Sequence, residues 1–125
     1  MPHVMVVDDV PDNCSAVARF LERSGHRVTF AASGKQALMD LIHESPDVMV
    51  LDLMMPEMDG ASLLGIIRSY LRLQSLPVVV LTGHPDSPQV DRVRQLGVEW
   101  VLVKGRATLD DIGNAVVAAH QWCRN

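Results

Sequence analysis

Four short apolar runs punctuate this chain, and each ends on a polar residue. Met5-Val6-Val7 reaches Asp8-Asp9, and Val48-Met49-Val50-Leu51 reaches Asp52. Val78-Val79-Val80-Leu81 reaches Thr82, and Val101-Leu102-Val103 reaches Lys104. Continuous β-branched runs of this length, bounded by turn residues, predict strands buried on both faces, as in a parallel sheet. A fifth and more polar run, Arg27 to Ala32, predicts a strand at the sheet edge.

Helical periodicity fills the intervals. Pro11 suits a first helical turn, and Cys14, Val17, Ala18 and Leu21 follow i, i+3, i+4, i+7 spacing until Gly25 stops them. Ser33-Gly34-Lys35-Gln36 reads as a capping box opening a helix with Ala37, Leu38, Leu41 and Ile42 inward; Ser45-Pro46-Asp47 breaks it. Beyond Asp52 a loop runs from Leu53 to Gly60. The spacing of Leu63, Leu64, Ile67 and Leu71 predicts a helix over 61–73. A turn-rich loop from Gly83 to Pro88 leads into a short helix with Val90, Val93 and Leu96 inward, closed by Gly97. Thr108, with Asp111 three residues on, caps a last helix carrying Leu109, Ile112, Val116 and Ala119. Five βα units predict an α/β, doubly wound parallel sheet with right-handed crossovers and helices on both faces.

Composition narrows the class. With 125 residues, 48% of them apolar, the chain is expected to fold as one domain over 1–125 with an ordinary core. Net charge is -4 with dispersed basic residues, which argues against direct nucleic-acid binding. No apolar run approaches a membrane span. Cys14 and Cys123 lack metal-site spacing, and a soluble cytoplasmic protein is the expectation.

In parallel sheets, chemistry gathers at the carboxyl ends of the strands. Three carboxylates, a hydroxyl and an ammonium would then share one crevice. Adjacent acids beside a third suit a hard divalent cation such as Mg2+, which takes few carboxylates along with waters and phosphate oxygens. Asp52 is the candidate nucleophile, since a carboxylate can attack phosphorus to give an aspartyl phosphate. Lys104 would stabilise charge on the transferring group, and Thr82 could donate to a phosphoryl oxygen. Singly, each residue has a plainer reading: helix-terminal acids, a loop acid, a turn cap, a solvated lysine. Their coincidence at successive strand ends favours a site. The five histidines show no metal spacing and are expected mostly at the surface, His84 beside the crevice excepted. Met54, Met55 and Met58 read as loop packing.

These residues carry a resemblance to the receiver domains of two-component response regulators. It rests on Val6-Val7-Asp8-Asp9, Asp52-Leu53-Met54-Met55-Pro56-Glu57-Met58-Asp59-Gly60, Val80-Leu81-Thr82-Gly83 and Val101-Leu102-Val103-Lys104. It implies a flavodoxin-like five-stranded sheet of order 2-1-3-4-5. It also implies that Asp52 accepts a phosphoryl group from a phosphohistidine on a sensor kinase or phosphotransfer protein. Asp8, Asp9, Asp52 and the Met54 carbonyl would hold Mg2+, and Thr82 and Lys104 would be the switch hydroxyl and phosphate-binding cation. An unknown downstream partner would meet the face made by the fourth helix, fifth strand and fifth helix.

Two departures from the family stand out. Gly105 replaces the proline usually joined to the lysine by a cis bond. Because cis costs roughly 2.5–4 kcal/mol before a non-proline residue, a trans Lys104–Gly105 bond and an altered loop are expected. Val101 stands where the family has its switch aromatic, with Trp100 one place earlier; side-chain alternation points Trp100 to the opposite face. Signalling is then carried by backbone and fourth-helix rearrangement, or Trp100 takes a different part. His84 and Met54 are positioned to tune phosphoryl lifetime.

Two other classes share some of these residues. Aspartate-nucleophile phosphohydrolases carry Asp-x-Asp after the first strand, whereas here the loop acid follows the third. A flavodoxin-like nucleotide binder wants a Ser/Thr/Gly-rich first loop, where this chain has Asp8-Asp9-Val10-Pro11-Asp12. A stand-alone signalling regulator, rather than a turnover enzyme, is the expectation.

Overall fold

The computed structural model describes residues 2–124, those at 13, 14, 123 and 124 by backbone only. The inward placement expected of Cys14 therefore lies outside the described side chains. Five parallel strands, β1 (His3–Val7), β2 (Arg27–Ala31), β3 (Val48–Asp52), β4 (Val78–Thr82) and β5 (Trp100–Val103), pair in the order β2-β1-β3-β4-β5. Five helices alternate with them: α1 (Pro11–Arg23), α2 (Gly34–His43), α3 (Gly60–Ser69), α4 (Pro88–Gln95) and α5 (Leu109–Arg124).

The three inner strands are buried along their whole length, whereas β2 is largely accessible, as its polar composition predicts. Alternation along each strand divides the core in two. Val4, Val6, Val48, Val50, Val79 and Leu81 pack with α1 and α5, while Met5, Val7, Met49, Leu51, Val78 and Val80 pack with α2, α3 and α4. Each fully buried side chain of this size contributes roughly 1.5–3 kcal/mol. A sheet covered on both sides therefore holds its strand ends rigidly.

Local chemistry sets the helix ends. Ser33 Oγ accepts from the Gln36 amide, but the Gln36 side chain turns forward to Asp40, leaving half of the expected capping box. At α5 the box is complete: Thr108 N donates to Asp111 Oδ2, and Asp111 N donates to Thr108 Oγ.

Several inward placements need correction. The helix expected over 61–73 stops at Ser69, Tyr70 is extended, and a 3-10 turn follows at Leu71–Leu73. Arg68 secures this break by donating to the carbonyls of Leu73, Leu76 and Leu96, which a continuous helix would not present to it. Leu71 consequently faces solvent at 85% exposure; Ile42 on α2 is also exposed, at 66%, and Leu109 is partly exposed. Conversely, His3 and His26 are buried rather than at the surface. His3 Nε2 shares a hydrogen bond with Thr29 Oγ, and its Nδ1 lies 3.6 Å from Glu44.

Candidate functional site

Asp52 is the last residue of β3 and Thr82 the last of β4, while Asp8 and Lys104 directly follow β1 and β5. Parallel pairing brings these ends to one edge of the sheet. The pleat then sorts them. Asp8 continues the phase of Val4 and Val6, Asp52 that of Val48 and Val50, and Lys104 that of Trp100 and Leu102, all on the α1/α5 side. Thr82 continues the phase of Val78 and Val80, on the other side.

The contacts follow that sorting. Lys104 Nζ lies 3.0 Å from Asp52 Oδ2 and 3.7 Å from Asp8 Oδ2. One oxygen each from Asp8, Asp9 and Asp52 lies within 4.8 Å of the others. Asp8 and Asp52 are buried, Asp9 is half-buried, and the Lys104 side chain stays about a third exposed. Asp8 Oδ1 accepts from Val10 N at 2.9 Å, and Asp52 Oδ1 accepts from Met54 N at 3.1 Å, so each carboxylate is aimed by the loop that follows it.

Burial is the main cause that lifts the Asp8 carboxyl above its ordinary range. The Val10 amide opposes it, the nearby Asp52 carboxylate adds to it, and the Lys104 ammonium pulls the other way. One ammonium cannot neutralise three clustered acids. The site thus presents several hard oxygen donors with surplus negative charge, the donor set a divalent cation of the Mg2+ kind prefers.

Thr82 is fully buried; its Oγ accepts from His84 N at 3.0 Å, and its carbonyl accepts from Lys104 N at 2.8 Å. The structure thus brings Asp8, Asp9, Asp52 and Lys104 together, with Thr82 on the same edge and bonded to the loop that carries His84. His84 is exposed on that loop. Met54 is 49% exposed at the rim, while Met55 is buried and Met58 half-buried, so the methionine loop is only partly packing.

Val101 and Trp100 face opposite cores, as alternation predicts: Val101 packs with the α3/α4 side and Trp100 with the α1/α5 side. Among the described residues no peptide bond is cis, so Lys104–Gly105 is trans. Gly105 takes φ +86, a value closed to proline, whose ring fixes φ near -65.

The loop after Asp52 contains a feature that periodicity could not reveal. Glu57 has φ +67 and Met58 N donates to Pro56 O, a tight three-residue turn that lets Asp59 cap α3 through Ser62 N. Gln89 of α4 was also missed, because one polar residue in a first helical turn has no sequence signature. Its amide reaches Met54 and the start of α3.

Comparison with known proteins agrees with this geometry. The response regulator receiver domain family matches residues 4–116. The two-component response regulator ORR5 of Oryza sativa subsp. japonica is 36% identical over 105 residues, covering 82% of this chain and 78% of that protein. The receiver domain of a Francisella response regulator superimposes with a TM-score of 0.83 at 31% identity, covering 98% of each chain. The Mn(2+)-bound form of the response regulator Rcp1 gives 0.80 at 25% identity, covering all of this chain and 96% of that one. The fold, the strand-end chemistry and these likenesses agree: the chain belongs to the receiver domain family of two-component response regulators.

Proposed function

We propose that Asp52 is the phosphoacceptor of this receiver and that Mg2+ is its working cation. The observation that carries the reading is the Lys104 ammonium set between the buried Asp52 and Asp8 carboxylates, with Asp9 beside them. Family membership implies a histidine kinase or phosphotransfer protein as donor. An Asp52 oxygen attacks the phosphorus of the phosphohistidine, the P–N bond breaks, and its electron pair stays on the imidazole nitrogen, which takes up a proton. Lys104 then follows the charge from the carboxylate to the phosphoryl oxygens.

Asp8, Asp9, Asp52 and the Met54 carbonyl would hold Mg2+, which when bound offsets negative charge on the transferring group. That the response regulator Rcp1 has a Mn(2+)-bound form supports a divalent cation as the ligand. Thr82 accepts a hydrogen bond from His84, yet keeps its own O–H to donate toward a phosphoryl oxygen. That donation would pull on the loop carrying His84, so the modification reaches α4 through the backbone. Val101, stiff at χ1 and packed on that face, offers no ring to rotate, and Trp100 faces α1/α5. The output is a changed α4–β5–α5 surface presented to a downstream protein, and the chain acts as a switch rather than a turnover enzyme.

Incubation with a small phosphodonor and Mg2+ should add one phosphoryl group, read by intact mass. Asp52→Asn should abolish it. Undiminished uptake by Asp52→Asn would remove Asp52 from this role.

A further inference from the structure

We propose that Gln89 is a positioning residue that ties α4 to the phosphoacceptor loop; this rests on the reading of Asp52 given above. The first three amides of α3 need partners, as every helix start does. Gly60 N donates to Leu53 O at 2.9 Å and Ser62 N to Asp59 Oδ1 at 2.7 Å, both within the loop itself. The middle amide, Ala61 N, is met from another element: Gln89 Oε1 in the first turn of α4, at 3.4 Å. Since Ala61 N–H is a donor, the Gln89 oxygen must face it, which turns the Gln89 NH2 toward Met54. Nε2 donates to Met54 Sδ at 3.7 Å.

Met54 is also the residue whose backbone amide holds Asp52 Oδ1. One side chain therefore spans the loop that aims the reactive carboxylate, the start of α3, and the start of α4. Any shift of Met54 as Asp52 is modified is felt at Gln89, and through it at the N-terminal end of α4. The link runs both ways, so a partner that fixes α4 would also fix the Asp52 loop. A second polar tie, the Thr82–His84 hydrogen bond, reaches the loop before α4.

Three variants separate this role from packing. Gln89→Leu fills the same space without hydrogen bonds. Gln89→Glu keeps an acceptor for Ala61 N and loses the donor to Met54. Met54→Leu removes the sulfur acceptor alone. Each is labelled with a small phosphodonor and Mg2+, and the backbone amide shifts of Val90, Asp91 and Val93 are followed by NMR, with hydrogen exchange at Ala61 and Ser62 in the unlabelled protein.

In Gln89→Leu, exchange at Ala61 should quicken about tenfold while Ser62 is unchanged. Labelling should slow several-fold yet still reach one group per chain, and the phosphorylation-dependent shifts in α4 should fall to less than half. Gln89→Glu and Met54→Leu should show a comparable fall in the α4 response while retaining slow exchange at Ala61. Full α4 shifts in labelled Gln89→Leu and Met54→Leu would overturn the assignment of Gln89 alone. An unmodified sequence that takes up no label would overturn the Asp52 reading, and this one with it.

Discussion

Gly60 is the position where the phosphoacceptor loop has no room. A Cβ there would lie 2.7 Å from both the Asp52 carbonyl oxygen and Leu53 Cα, backbone atoms that cannot swing aside. Gly60→Ala should cost about 1–3 kcal/mol of stability in urea unfolding, as overpacking does, and should slow labelling of Asp52. Gly65, in the middle of the same helix with open space around its Cα, is the control: Gly65→Ala should gain up to about 1 kcal/mol. Equal responses at the two glycines would remove the steric argument. Asp8 gives a residue-scale prediction of opposite sign. Its carboxyl is raised chiefly by burial, so the folded state favours the protonated form. Stability from Asp8 is then lost as pH rises from about 4, the unfolded carboxylate range, through the raised folded value. With divalent cations chelated at neutral pH, Asp8→Asn should stabilise the protein, on the order of 1 kcal/mol, and keep its acceptor for Val10 N. The gain should vanish below about pH 4; a variant less stable than the parent at pH 7 would contradict this. Asp8, Asp9, Asp52 and Lys104 were legible because strand ends mark position without knowledge of pairing. Gln89 was not, since its meaning depends on which loop α4 packs against.

At the scale of elements, strands and helix starts were legible and helix ends less so. The runs ending at Asp8, Asp52, Thr82 and Lys104 are strands because their β-branched residues suit a sheet buried on both faces. The α3 terminus was misplaced because Leu71 keeps helical spacing, and only tertiary contacts from Arg68 show that the chain has left the helix. The buried histidines of β1 and the α1–β2 turn were missed for a related reason: polarity suggested surface, and burial was decided by pairing. His3 starts β1 among Arg27 and Thr29 of β2, Glu44 after α2, and Asp47 before β3, whose carboxylate accepts from His3 N. Burial is the main cause that lowers its pKa, with Arg27 adding to it and Glu44 and Asp47 opposing; burial, then His120, lowers that of His26. The fold thus disfavours the charged form of both imidazoles, and the unfolded chain takes up protons first as pH falls. Stability from them is complete above about 6.5 and is lost as pH drops toward the folded values, by at most about 1.4 kcal/mol per pH unit for each. The urea midpoint should therefore fall between pH 7 and 5.5, less steeply in His3→Gln. An identical slope in that variant would exclude His3 as a source.

At the scale of the whole molecule, periodicity reaches the layers but not the order of strands. Nothing in a run of valines says which neighbour it will choose, so the order 2-1-3-4-5 entered through family resemblance and the pairing then bore it out. That order makes the site, because it sets β3 between β1 and β4 and brings the ends of β1 and β5 to either side of Asp52. Four separate crossovers must be in place before three acids and one lysine meet. The acids repel until a cation joins them, so cation binding and global folding are linked. A ligand at a hundred times its dissociation constant, with no affinity for the unfolded chain, adds about 2.7 kcal/mol. For a domain of this size each kcal/mol moves the melting temperature by about 4 °C. Saturating Mg2+ should thus raise it by roughly 10 °C over a potassium chloride control of equal ionic strength, and the NMR of β1, β3 and β5 ends should shift together. Asp9→Asn, at the half-buried acid on the solvent side of the cluster, should lose most of that rise. No Mg2+-specific rise in the parent, or an undiminished one in Asp9→Asn, would mean that the three strand ends do not act as one cation site.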